Sequence, residues 1–266
     1  LVVGWPGIYP TTEIDKGIVM NRPARFCMIL ACVGLLGSLA SGCATAPGSD
    51  GSSDQNDPYE HFNRQIFATN EAVDQAVAEP IAKFYVRALP RPAREGVHNV
   101  VTNLGEPVTL ANDILQGKAD RAAQTVGRVV VNSTVGLGGL IDVAGPMGIP
   151  DHSADFGETL ATYGVEEGPY LMLPFFGPSN PRDLAGDVVD LAFDPLTYVG
   201  MREKGLWMGG RTTLSILDTR AQNLDALDEL RRSSVDVYAT LRSLYRQHRE
   251  AEIRGGKPDL QNLPNI

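Results

Sequence analysis

Residues 157–183 read GETLATYGVEEGPYLMLPFFGPSNPRD, a stretch that makes a poor helix, a poor strand and an unusual loop. Gly164, Gly168, Pro169, Pro174, Gly177, Pro178 and Pro181 interrupt any regular element, while Tyr170, Leu171, Met172, Leu173, Phe175 and Phe176 crowd apolar bulk between the breaks. Left in water, apolar bulk of this kind promotes association. The segment therefore belongs in a core, in lipid, or along the wall of a site for something apolar.

On either side of it the pattern is helical. Asp57 and Pro58 suit the N-cap and first position of a helix, on which Tyr59, Phe62, Ile66, Val73 and Val77 make one apolar stripe before Ala78-Glu79-Pro80 ends or kinks it. Short helices are predicted over 81–88, 92–103 and 107–116, each punctuated by Pro or Gly. Over 119–133, Ala119, Ala122, Ala123, Val126 and Val130 form one face, with Asp120, Arg121, Gln124 and Arg128 opposite. Further helices fit 184–193, 206–217, 220–230 and 235–250. The last has Val235, Tyr238, Leu241, Tyr245 and His248 on one side and Arg242, Arg246 and Arg249 elsewhere. No alternating run is long enough for a sheet, and no internal repeat is evident. The fold class predicted is all-α: a single compact domain of many short amphipathic helices over 57–254. In a soluble protein, stripes of this kind are core.

The N-terminal region gives an address. Met20 is followed by Arg22 and Arg25, then by a nearly uncharged run from Phe26 to Ala40, then by small residues up to Cys43, the order of a secretory signal over 20–42. The apolar run is short for a membrane span. Residues 1–19 carry Glu13 and Asp15 and no basic start, and are read as a mis-assigned upstream segment. Cys27 and Cys32 fall inside the signal, which leaves Cys43 alone, directly after Leu39-Ala40-Ser41-Gly42. That placement resembles a lipobox, in which the thiol is acylated and becomes the new N-terminus. The motif prefers Leu where this chain has Ala40, and a free thiol is the other reading. Ala44, rather than Asp, follows the cysteine, which resembles delivery to the outer membrane. Residues 43–56 are rich in Gly, Ser, Asp and Pro and read as a flexible tether; 255–266 reads as a disordered tail.

The formal net charge is −9, and −10 from Cys43 onward once Lys16, Arg22, Arg25, Glu13 and Asp15 are set aside. An acidic chain disfavours nucleic acid, and membrane association would have to rest on an anchor and apolar burial. Catalytic and metal signals are weak. Asp151-His152-Ser153 holds three catalytic residue types, but neighbours in sequence do not converge as a triad does, and there is no Gly-x-Ser-x-Gly elbow. His61, His98, His152 and His248 lack metal-ligand spacing. The glycines from Gly136 to Gly148 lack the ending of a phosphate-binding loop, so neither cofactor nor metal is expected. Asp183, Asp187, Asp190 and Asp194 recur at helical spacing and read as a solvated face, then as salt bridges to nearby Arg, then as a basic-partner or calcium site.

Three motifs, DPYEHFNR at 57–64, NSTVGLGGLIDVA at 132–144 and YGVEEGPYLMLPFFGPSNPRD at 163–183, occur in this order. Together they closely resemble the MlaA (VacJ) family of outer-membrane lipoproteins, over most of the chain from Asp57 to about Arg249. The resemblance implies a ring of helices lying in the membrane interface around an amphipathic channel, with a mobile apolar hairpin from Ile141 to about Ser153. It also implies that glycerophospholipid is withdrawn from the outer leaflet of the outer membrane, and that a trimeric porin and a periplasmic carrier of the MlaC type are the partners. On this reading the lipid channel would be walled by Leu140, Ile141, Val143, Met147, Tyr170, Leu171, Leu173, Phe175 and Phe176, with Tyr163 and Tyr170 at the polar boundary. Arg182 would meet the head-group phosphate. An anchored scaffold that moves no lipid, and a membrane phospholipase, are the alternatives.

Overall fold

The computed structural model describes residues 56–198 and 204–255. The upstream segment, the signal, Cys43, the tether up to residue 55 and the tail beyond Gly255 lie outside the described residues. From Ser53 onward the chain forms one compact unit, built in the order α1 (Glu60–Val73), a π-helical segment (Asp74–Ala78), α2 (Glu79–Ala88), α3 (Arg91–Leu115), α4 (Ala119–Thr134), α5 (Phe156–Thr162), β1 (Leu171–Leu173), β2 (Gly177–Ser179), α6 (Pro181–Phe193), a 3₁₀ turn (Pro195–Thr197), α7 (Lys204–Gln222), α8 (Leu224–Ser233) and α9 (Val237–Ile253).

Local chemistry starts several of these helices. Asp155, Asn180 and Asp236 sit at extended N-caps, and their side chains accept from the backbone N–H of Glu158, Asp183 and Ala239, respectively. Pro181 follows Asn180 at the first helical position of α6. At two places the breakers do not break. Pro80 lies in the first turn of α2, where its missing N–H is tolerated, so α1 runs on through the π-helical segment instead of ending at Pro80. Pro107 sits inside α3, a single helix of 25 residues in place of the two short ones expected. An interior proline costs about 3 kcal/mol, offset here by side chains on the turns around it, Glu106, Asn112 and Asp113, which bond to α4 and α6. The only departure from helix among the described elements is a two-stranded antiparallel ribbon pairing Leu171 with Ser179 and Leu173 with Gly177.

Two small apolar clusters hold the elements together. Ala82, Tyr85 and Ala221 join α2 to α7, and Tyr170, Met172 and Tyr238 join the ribbon to α9 through edge-on ring contacts that also include Phe67 and Tyr245. Gly186 lets α6 approach α5 so closely that a Cβ there would run into the backbone of Gly157.

The rest of the interior is polar. Among the described residues, eight apolar side chains are fully buried against eighteen polar or charged ones. Two of the apolar stripes point largely outward: Tyr59, Phe62 and Val77 of the first stripe and Val126 and Val130 of α4 are exposed, while Asn63 of α1 and Thr125, Arg128 and Asn132 of α4 are buried; the stripe of α9 instead packs inward through Tyr238, Leu241 and Tyr245. Of the four acidic residues from Asp183 to Asp194, Asp187 is exposed, and the other three make the polar contacts that follow. Asp183 accepts from Arg249 and Tyr245, Asp190 from Asn112 and the Phe156 N–H, and Asp194 pairs with Arg211. No helix among the described residues is long and apolar enough to cross a membrane.

Candidate functional site

The long helix α3 carries polar residues at spacings of three and four: Arg91, Arg94, Glu95, His98, Asn99, Thr102, Asn103 and Glu106 fall on one side of it. Two cavities open along that side. The first, of about 300 Å³, lies between Tyr85 of α2, the 91–99 turns of α3 and the Asp218–Gln222 turn of α7. The second, of about 140 Å³, lies between α3, Arg128 and Asn132 of α4, and Asp142 and Asp151 of the following loop. His98 and Asn99 line both, so the two cavities neighbour each other along the polar side of α3, termed the lane.

The far end of the lane is built around Arg128. Its guanidinium is almost wholly buried and reaches Glu106 at 3.2 Å, Asp151 at 3.3 Å and Asp142 at 3.4 Å, and donates to the Ile149 carbonyl. Asn132 donates to Asp142 and accepts from the N–H groups of Val143 and Ala144. These two side chains of α4 thus pin the glycine-rich loop from inside and turn its apolar residues outward. Burial pushes the Glu106 carboxyl up to about 7, against the pull of Arg128. Burial, with Asp155 close by, does the same to Glu158, also to about 7.

Two further polar knots close the interior. Asn112 donates to Asp190 and accepts from Thr159, to which Gln116 in turn donates. Arg249 makes paired hydrogen bonds to both Asp155 and Asp183, at 2.6 to 3.1 Å. Asp113, His152 and Thr125 also meet. The Thr125 hydroxyl donates to Asp113 Oδ2 at 2.8 Å, and His152 Nε2 lies 2.9 Å from that same oxygen and 3.3 Å from the hydroxyl. A nucleophile triad needs acid and hydroxyl on opposite ring nitrogens. Here both lie at Nε2, which makes a structural knot tying α3 and α4 to the loop.

The residues expected to wall a channel fall in two places. Leu140, Ile141 and Met147 are exposed and Val143 is half-buried on the loop after α4, where Leu140 packs over Gly96 of α3. Phe175 and Phe176 are exposed at 71% and 74% on the turn of the ribbon, held by α1: Asn70 donates to the Leu173 carbonyl and accepts from the Phe175 N–H. Phe175 takes a positive φ of 67°, a conformation costly for a bulky side chain, and the strained turn presents both rings outward. Leu171 and Leu173 are half-buried, whereas Tyr170 is in the aromatic cluster. Tyr163 is exposed and donates to the Leu115 carbonyl. Arg182 is buried, its guanidinium 3.0 Å from Asp183. The lane residues Arg94, His98, Asn99, Glu106 and Arg128 were not expected as a site. Arg94, His98 and Asn99 share one side of the helix predicted over 92–103, Glu106 fell in the break expected before Pro107, and Arg128 comes from α4.

An all-helical domain with its apolar side chains outside and charged side chains inside is of the class built to work against lipid rather than water. The chain belongs to the MlaA lipoprotein family, whose model matches residues 55–252. It is 36% identical to the intermembrane phospholipid transport system lipoprotein MlaA of Escherichia coli, over 89% of this chain and 93% of that protein. It is equally identical to the protein of that name from Haemophilus influenzae, over 84% and 90%. A solved structure described as the structural basis for maintenance of bacterial outer membrane lipid asymmetry superposes with a TM-score of 0.66 at 37% identity, covering 74% of this chain and 98% of that one.

Proposed function

We propose that this protein withdraws mislocalised glycerophospholipids from the outer leaflet of the outer membrane and passes them to a periplasmic carrier, so maintaining the asymmetry of that membrane. The inverted polarity of the domain carries the reading. Burying a Val, Leu or Phe side chain is worth about 1.5–3 kcal/mol in water, and the exposure of Phe62, Phe84, Val130, Leu137, Phe175, Phe176 and Trp207 forgoes that gain many times over. In hydrocarbon the same exposure costs nothing, and it is the charged groups that must be covered and paired, as Arg128 and Arg249 are.

A phospholipid moving through such a domain needs a polar lane for its head group and apolar surface for its chains. The lane along α3 supplies the first, and the outward faces of the loop after α4 and of the ribbon turn supply the second. The proposed chemistry is selective passage rather than catalysis. Acylation at Cys43 would anchor the protein at the periplasmic face, where helices lie in the interface without crossing it. A trimeric porin to position the domain and a soluble carrier of the MlaC type to receive the lipid complete the scheme.

The test is outer-leaflet phospholipid exposure in cells carrying the wild-type gene, a deletion, or Cys43→Ala. Accumulation in the deletion, unrepaired by an expressed but unanchored Cys43→Ala protein, is the expected result. Unchanged asymmetry in the deletion would instead favour an anchored scaffold.

A further inference from the structure

The near end of the lane contains a charge that the fold does not use. Arg94 lines the 300 Å³ cavity one turn before His98, and its Nε is shut off from solvent without a hydrogen-bond acceptor. Among the described residues its side chain has neither an ion pair nor a hydrogen bond. The other arginines of the interior, Arg128, Arg182, Arg220, Arg242 and Arg249, all end on carboxylates. The two acids of the cavity do not make up the difference. Asp218 already lies against the Tyr85 hydroxyl, His98 and Gln222, and Glu95 is held by Arg91 at 2.8 Å.

A half-buried guanidinium bonded to no carboxylate is unfavourable, and it is well shaped for an oxyanion, which it meets with two parallel hydrogen bonds. The cavity is at the small end of ligand sites, with room for a phosphate and its immediate substituents but not for acyl chains. Ile81, one turn before Tyr85 on α2, is half exposed and offers apolar surface beside it.

We propose that this cavity is a station for the phosphodiester of a glycerophospholipid, with the Arg94 guanidinium as the group that binds it. The inference rests on the transport reading and adds to it a place where the head group halts on entering or leaving the lane.

The experiment uses the full lipoprotein purified from membranes in mild detergent, and measures phospholipid retained per protein by mass spectrometry. Wild type is compared with Arg94→Gln, Arg94→Lys and, as a control, Arg87→Gln, which removes an exposed charge away from the cavity. Arg94→Gln is expected to retain about ten-fold less lipid, the factor corresponding to about 1.4 kcal/mol of lost interaction. Arg94→Lys should recover part of the loss and Arg87→Gln should match wild type, with all four proteins melting within a few degrees of one another. If wild type carries lipid and Arg94→Gln carries as much, the station is refuted while the transport reading stands. If wild type carries none, both are refuted. Displacement of the lipid by low-millimolar inorganic phosphate would show a free-phosphate site and overturn the assignment to a lipid head group.

Discussion

The aromatic cluster of Tyr170, Met172 and Tyr238 and the α3–α4 pair obey opposite rules within one domain. In the cluster, rings pack edge to face away from solvent and Tyr238 is capped by the guanidinium of Arg64 at 4.4 Å, as in any water-soluble core. Across α3 and α4 the buried positions include Glu106, Thr109, Asn112, Asp113, Thr125, Arg128 and Asn132, while Val126 and Val130 are exposed. The first region needs only to exclude water to hold together. The second holds together only if its buried polar groups find partners, and on the proposed transport reading its charged interior is where a head group would pass. The division sets an aromatic core at the ribbon and α9 against a polar interior between α3 and α4.

The largest effect in either region should come from removing a charge that several partners share. Arg249→Ala strands Asp155 and Asp183 inside the fold and is expected to cost about 3–5 kcal/mol, read as a lower melting temperature in detergent. A charge on the outward face of α4 comes next. Val130→Asp should cost about 2–3 kcal/mol for the protein in lipid and far less in aqueous detergent at the same position, a contrast a soluble core would not produce. Thr125→Val removes one of the two partners of Asp113 Oδ2 and should cost about 1–3 kcal/mol. At the small end, Arg91→Ala breaks an exposed pair and should change stability by less than about 1 kcal/mol.

The interior also predicts a pH dependence. Burial raises the Glu106 and Glu158 carboxyls to about 7, above an unfolded value of about 4.3. Between those values the folded state binds more protons than the unfolded one, so stability falls as pH rises from about 4.5 to 7. Asp74 and Asp183, held low by their arginine partners against the cost of burial, act only below that window. Melting temperatures at pH 5 and pH 8 should therefore differ in favour of pH 5, and the difference should shrink in Glu106→Gln.

Much of the fold was legible in the chain. Amphipathic spacing marked most of the helices, and Asp155, Asn180 and Asp236 cap helices by the ordinary rule. Two things were not legible. Pro80 read as an end or a kink and Pro107 as the start of a new helix, because a sequence does not show the tertiary bonds that offset a proline, so the unbroken length of α3 went unseen. The direction of each stripe was equally hidden, since spacing at 3.6 residues shows that two faces differ and not which solvent each one meets. Tyr170, expected at a channel wall, and Arg182, expected at a head group, illustrate the same limit: the first is in the aromatic cluster and the second lies against Asp183. Phe175 and Phe176 are exposed because a breaker-rich turn cannot bury both rings.

The most direct measurement is the collision accessibility of a nitroxide attached at Val130→Cys in the full lipoprotein, reconstituted into phospholipid vesicles. The inverted domain predicts a label relaxed efficiently by oxygen, which partitions into hydrocarbon, and little affected by a water-soluble nickel chelate. A label more accessible to the nickel chelate than to oxygen would place the valine face in water and contradict the account.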